Sequence, residues 1–174
     1  MLLPTPGHRE AWHQGRRWYF VTVLEVDDAN VVARRNSILD AITDVCAPFS
    51  HATPHVTVFV HGFERPHPTG PTEVPLVVGG AGAFQTCVFL QVRCRQLAVL
   101  RAALGAEEHR WAHYLPHLTV GRFVKAAVPR QIGARLRIFT RLPPLLATGR
   151  LRLMAVDALR DDGVLIGAEE VQER

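Results

Sequence analysis

Pro54-His55-Val56-Thr57-Val58 and Pro116-His117-Leu118-Thr119-Val120 are nearly the same five residues written twice in a chain of 174. Each copy sets a His two positions before a Thr inside a β-branched run. A strand alternates its side chains between two faces, so His and Thr share one face and the aliphatic residues take the other. Two such strands laid side by side aim two imidazoles and two hydroxyls into one space.

The flanks of each copy repeat as well. Residues 18–26, Trp-Tyr-Phe-Val-Thr-Val-Leu-Glu-Val, are a strand by aromatic and β-branched content. Residues 31–46 carry Val31, Ile38, Ala41, Ile42 and Val45 at helical spacing, which puts Cys46 at a helix end. The first His-Thr strand follows over 55–61, closed by Gly62. A Pro- and Gly-rich loop covers 64–72. Then come a strand over 74–78, a turn at Gly79-Gly80-Ala81-Gly82, and a strand over 86–92. Residues 96–104 read as a helix with Leu97, Leu100 and Leu104 on one face, and the second His-Thr strand runs over 117–123. A helix over 128–139 and two strands, 151–158 and 164–168, around Asp161-Asp162-Gly163 complete the pattern.

Strand, helix, His-Thr strand therefore occurs twice. The pattern predicts an α+β fold of two pseudo-symmetric lobes, each with an antiparallel sheet and helices, and a cleft between the lobes. Residues 1–17 form a polar lead-in, and 18–171 a single bilobal domain.

Composition sets the bounds. Hydrophobic residues make up 48% and charged residues 21%, the balance of a soluble globular chain. A net charge of +4, from 20 Lys+Arg against 16 Asp+Glu, suits phosphate-bearing partners. Three cysteines, Cys46, Cys87 and Cys94, lack zinc spacing and pair into no disulfide framework, so they read as reduced packing residues. No stretch has the length of a membrane span or signal peptide, and the expected compartment is the cytoplasm. Of the histidine pairs four apart, His51 with His55 and His113 with His117 straddle Pro54 and Pro116, which disfavour helix there. His109 with His113 finds no completing Cys or carboxylate, and no metal is assigned.

Histidine titrates near neutral pH. One neutral imidazole can take a proton from water while a second, protonated, gives one to a leaving oxygen. Thr hydroxyls can donate to the non-bridging oxygens of a phosphoryl group between them. This chemistry requires neither a nucleophilic side chain nor a metal.

The motif pair, in this order of elements, resembles the two-histidine (2H) phosphoesterase superfamily. The branch it is most similar to is the bacterial RNA 2′,3′-cyclic phosphodiesterases, also called 2′-5′ RNA ligase-like proteins. The likeness runs over about 18–171. It takes in the strand, Gly turn and strand of 75–92, Gly121-Arg122 after the second motif, and the closing hairpin. Val60-His61-Gly62 departs from it, as a large aliphatic residue is expected before the glycine, and the lead-in is longer than usual.

The resemblance implies that His55 and His117 are the acid–base pair, in an order left open, and that Thr57 and Thr119 bind the phosphate. Arg122 becomes a candidate substrate contact, and Tyr114 a candidate stacking platform for a base. The implied reaction is metal-independent opening of a 2′,3′-cyclic phosphate end of RNA or a nucleotide to a phosphomonoester, on the 2′ oxygen, with 2′-5′ ligation, an RNA 5′ hydroxyl taking the place of water, as a side activity. No cofactor, membrane or obligate protein partner is implied, and the chain is expected to be a monomer. Two alternatives stay open: cleavage of 2′-5′ oligonucleotides or small cyclic nucleotides by the same residues, and an RNA-end-binding module without turnover.

Overall fold

The computed structural model describes residues 16–48, 53–66, 72–104, 114–124, 129–158 and 165–171. In chain order its elements are β1 (Trp18–Glu25), α1 (Ala29–Asp40), β2 (Cys46–Pro48), β3 (His55–Gly62), β4 (Glu73–Ala83) and β5 (Cys87–Arg93). Then follow α2 (Leu97–Ala103), β6 (His117–Phe123), α3 (Pro129–Leu136), β7 (Leu145–Asp157) and β8 (Leu165–Gly167). Short 3₁₀ turns follow α3 and β8. The class is α+β.

The strands form one antiparallel sheet in the order β1-β3-β6-β5-β4-β7-β8, with β2 on β6. Because β1 also pairs with β7, the first six of these strands close a circuit. The long strand β7 makes this closure. Leu145 to Arg150 pair with β4, and Arg150 to Asp157 pair with β1. The two expected halves, β1-α1-β3 and β5-α2-β6, are thus joined within a single sheet. Each helix leans on the other half: α1 packs against β6 and α2 against β3.

Alternation decides the core. Leu24, Val56, Val58, Leu90, Leu118 and Val120 are essentially inaccessible, and they pack with Val31 and Ile38 of α1 and Leu97 and Leu100 of α2. Burying each such side chain contributes on the order of 1.5–3 kcal/mol, which fixes strand register, since a slip of one residue would exchange the faces. Asp28 caps α1, its carboxylate accepting from the N–H groups of Asn30 at 2.9 Å and Val31 at 3.0 Å.

The structure corrects the sequence reading at several places. The glycine run is no turn: β4 continues through it to Ala83, with a bulge between Val78 and Ala81. Its glycines serve close approach, for a Cβ at Gly80 would collide with the Thr140 carbonyl. Arg34 of α1 donates to the carbonyls of Val78 and Gly79 there, at 3.3 and 3.2 Å. α1 ends at Asp40, and Cys46 lies in a short strand; Ile42, past the helix end, is still buried in the core. β7 begins at Leu145, ahead of the predicted 151. Asp161-Asp162-Gly163 lies outside the described residues, though the strands flanking it do pair, Met154 with Gly167. Most of the lead-in, His51, His109 and His113 lie outside them too.

Candidate functional site

β3 and β6 meet as antiparallel partners at Val56 and Leu118, the residues between His and Thr in each motif. An antiparallel pair has a local two-fold axis, and here it exchanges one motif for the other. One step along each strand sets His55 across from Thr119 and Thr57 across from His117, on the face away from Val56 and Leu118. All four polar residues are half-buried, while Val56 and Leu118 are each 1% exposed. The sheet therefore brings His55, His117, Thr57 and Thr119 together.

The axis extends to the neighbouring strands. Glu25 of β1 is the partner of His55, and Gln91 of β5 the partner of His117. The N–H of Val26 donates to the Pro54 carbonyl at 2.8 Å, as that of Val92 does to Pro116 at 3.1 Å. Both motif strands also bulge at the same point. Thr57 pairs with Val23 and Phe59 with Thr22, leaving Val58 extra; Thr119 pairs with Phe89 and Gly121 with Val88, leaving Val120 extra. Such bulges twist a strand and re-aim its side chains, and they recur beside active sites.

Ring orientation is also shared. Nδ1 of His117 lies 2.8 Å from the Leu115 carbonyl, and Nδ1 of His55 lies 3.4 Å from that of Thr53. A carbonyl only accepts, so Nδ1 carries the proton and Nε2 holds the lone pair of the neutral ring.

The surroundings differ. His117 stands edge-on to Phe84 (centroids 5.0 Å, 80°) and Phe89 (5.5 Å, 63°), which stack on each other at 4.3 Å. Gly82 admits this wall, since a Cβ there would come within 2.6 Å of the Phe89 ring. Burial pushes His117 below the ordinary histidine pKa, with the Leu115 carbonyl partly offsetting it. His55 is instead flanked across the strands by Glu25. The Glu25 carboxylate accepts from Arg152 at 3.2 Å, and Arg152 also meets Glu169 at 3.5 Å. Arg150, the β7 partner of Glu25, adds a second guanidinium, so that corner is ionic where the His117 side is aromatic.

The two halves are bolted together at the first bulge. Tyr114 donates its hydroxyl to the Thr57 carbonyl at 2.6 Å, and Arg101 donates to the Val58 carbonyl at 2.6 Å. The Arg101 guanidinium lies 3.8 Å over the Tyr114 ring. Tyr114 is thus tied to the motif strand by its hydroxyl and covered by Arg101 on one face. Arg122 sits beyond Thr119 on β6, half-exposed, paired with Ala47 on one side and Cys87 on the other.

Glu25, Gln91, Phe84, Phe89 and Arg101 are the neighbours that motif reasoning missed. A signal existed for two of them: Leu24-Glu25-Val26 and Leu90-Gln91-Val92 form a second, shorter repeat in the chain. Among the described residues no three His, Cys, Asp or Glu side chains converge as a metal site requires. No helix among them is long and apolar enough to cross a membrane.

No protein-family model matches the chain, and no curated protein matches it in sequence. Solved structures do match it, eight chains in all. The crystal structure of TT0787 of Thermus thermophilus covers 88% of this chain and 95% of its own, at 18% identity and a TM-score of 0.51. At that identity the two share a fold.

Proposed function

We propose that the chain is a 2H-type phosphoesterase that opens 2′,3′-cyclic phosphate ends of RNA or nucleotides by histidine acid–base catalysis. The observation that carries this reading is the Val56–Leu118 pairing, which gathers two imidazoles and two hydroxyls about one two-fold axis. The likeness to TT0787 supports the fold on which the reading stands.

The unequal surroundings support a division of roles. His117, against two phenyl rings and a neutral amide, favours its uncharged form and is the general base. His55, beside Glu25, has a carboxylate to stabilise an imidazolium and is the general acid. Nε2 of His117 takes a proton from water as the water oxygen bonds to phosphorus in line. The bond from phosphorus to the 3′ oxygen breaks, and His55 delivers a proton to that oxygen. The product is a 2′-phosphomonoester. Thr57 and Thr119 donate to the non-bridging oxygens, where charge accumulates. Arg122 is a candidate phosphate contact at the end of β6, and Tyr114 serves the site by bracing the Thr57 strand. An RNA 5′ hydroxyl attacking phosphorus in place of water yields a 2′-5′ linkage instead.

The test is hydrolysis of a short RNA ending in a 2′,3′-cyclic phosphate, in excess chelator, by wild type, His55→Ala and His117→Ala. Turnover by wild type alone, with the phosphate left on the 2′ oxygen, is the expected result. Full activity in either variant, or none in wild type, overturns the reading.

A further inference from the structure

The strand pairings carry the motif face onward from His117. Gln91 is the partner of His117, and Gly79 lies beside Gln91, where a Cβ would stand 3.6 Å from that of Gln91. Two residues further along β5, on the same face, is Arg93. Its partner on β4 is Val77, and Val77's partner on β7 is Leu146. A third row follows with Pro75 and Thr148. So a polar row floored by glycine borders His117, and beside it runs a row with a cation at one end and apolar side chains at the other.

These two outer rows line a groove of about 1150 Å³ that reaches Pro116, the residue before His117. Arg93 and Arg95 both open into it, and both are exposed. Leu146, in the part of β7 that pairs with β4 alone, is 81% exposed, an apolar surface that the folded chain leaves uncovered. The rows are spaced by two residues of strand, roughly 6.6 Å, a displacement comparable to one nucleotide step. Asp28 at the same groove is occupied as the cap of α1. Asp27 adds a carboxylate there, which disfavours a run of phosphates and suits a single one.

We infer that this groove is a subsite for the nucleotide on the 5′ side of the reacting end, with its linking phosphate on Arg93 and its base over Val77 and Leu146. The inference rests on the proposed function and deepens it. It makes the preferred substrate an oligonucleotide end, not a free cyclic mononucleotide. Cations hold phosphate along single strands, and an aliphatic face that a base covers is removed from water.

The experiment compares kcat/KM for a 2′,3′-cyclic mononucleotide with that for a dinucleotide ending in the same cyclic nucleotide. Wild type, Arg93→Ala and Leu146→Ser are measured. In wild type the dinucleotide is expected to be favoured about tenfold or more, the scale of one phosphate contact plus one base covering an aliphatic face. Arg93→Ala is expected to remove most of that ratio and its salt dependence, and Leu146→Ser part of the ratio. Equal rates on both substrates in wild type, or a wild-type ratio kept in Arg93→Ala, overturn the subsite. If no cyclic phosphate is opened at all, the proposed function fails, and binding decides the subsite separately. Fluorescence anisotropy with a labelled dinucleotide and mononucleotide, each ending in a 2′-phosphate, then supports it if the dinucleotide binds more tightly through Arg93. It refutes the subsite if the two bind alike.

Discussion

β3 and β6 carry the same motif, the same bulge and the same ring anchor, yet they place their histidines in opposite electrical settings. Beside His55 stands a carboxylate held by a guanidinium; around His117 stand two phenyl rings and an amide. On the proposed reading the backbone repeats because it must present two imidazoles to one centre. The neighbours diverge because one imidazole has to begin with a proton and the other without one. A duplicated scaffold supplies position, and single residues on adjacent strands supply direction.

Exchanging those residues tests the comparison. The largest effect is expected from His55→Ala and His117→Ala, each lowering kcat on a cyclic-phosphate RNA end by about 10²–10⁴-fold, the usual worth of a positioned acid or base. A pronounced inequality between them would break the two-fold account. Next is Glu25→Gln, which gives the first half the amide of the second. Loss of the carboxylate is expected to cut activity several-fold on the alkaline side of the pH profile and to leave the acid limb in place. Phe84→Ala acts on the other half. A buried base must be uncharged to work, and burial holds His117 low, so the acid limb of kcat/KM lies below the ordinary histidine value. Opening the aromatic wall is expected to move that limb up toward about 6.5. A limb that stays put in Phe84→Ala would separate burial of His117 from its role.

The smallest effect concerns the bolt between halves. Tyr114→Phe keeps the ring under Arg101 and deletes one hydrogen bond to the Thr57 carbonyl, worth about 1 kcal/mol. A fall in Tm of about 2–4 °C is expected, with a modest drop in kcat. A drop in kcat with Tm unchanged would show that the brace acts on Thr57 alone.

Much of this was legible in the chain. Period-two alternation identified both motif strands and the face their polar residues share, and helical spacing found α1 and α2. What escaped were features set by residues distant in sequence. The glycines at 79–82 look like a turn because the residues that crowd them, Thr140 and Phe89, come later in the chain. β7 starts early because its first half is held by β4, whatever its own pattern suggests, and Leu146 there faces outward. Glu25 becomes a neighbour of His55 only through register, and no local signal ties a carboxylate to a particular imidazole. The bulge at Val58 leaves no trace in the sequence, because Val packs as well in a bulge as in a regular strand.

The axis through Val56 and Leu118 has a bearing on time as well as space. In-line displacement at phosphorus, played backwards, exchanges the entering and departing oxygens and the duties of acid and base. A centre built on a two-fold looks the same to both senses of that film. On the proposed reading, the scaffold itself is indifferent between cutting and joining: the carboxylate on one flank and the two phenyl rings on the other decide which imidazole begins with the proton, and the reactants supplied decide the direction.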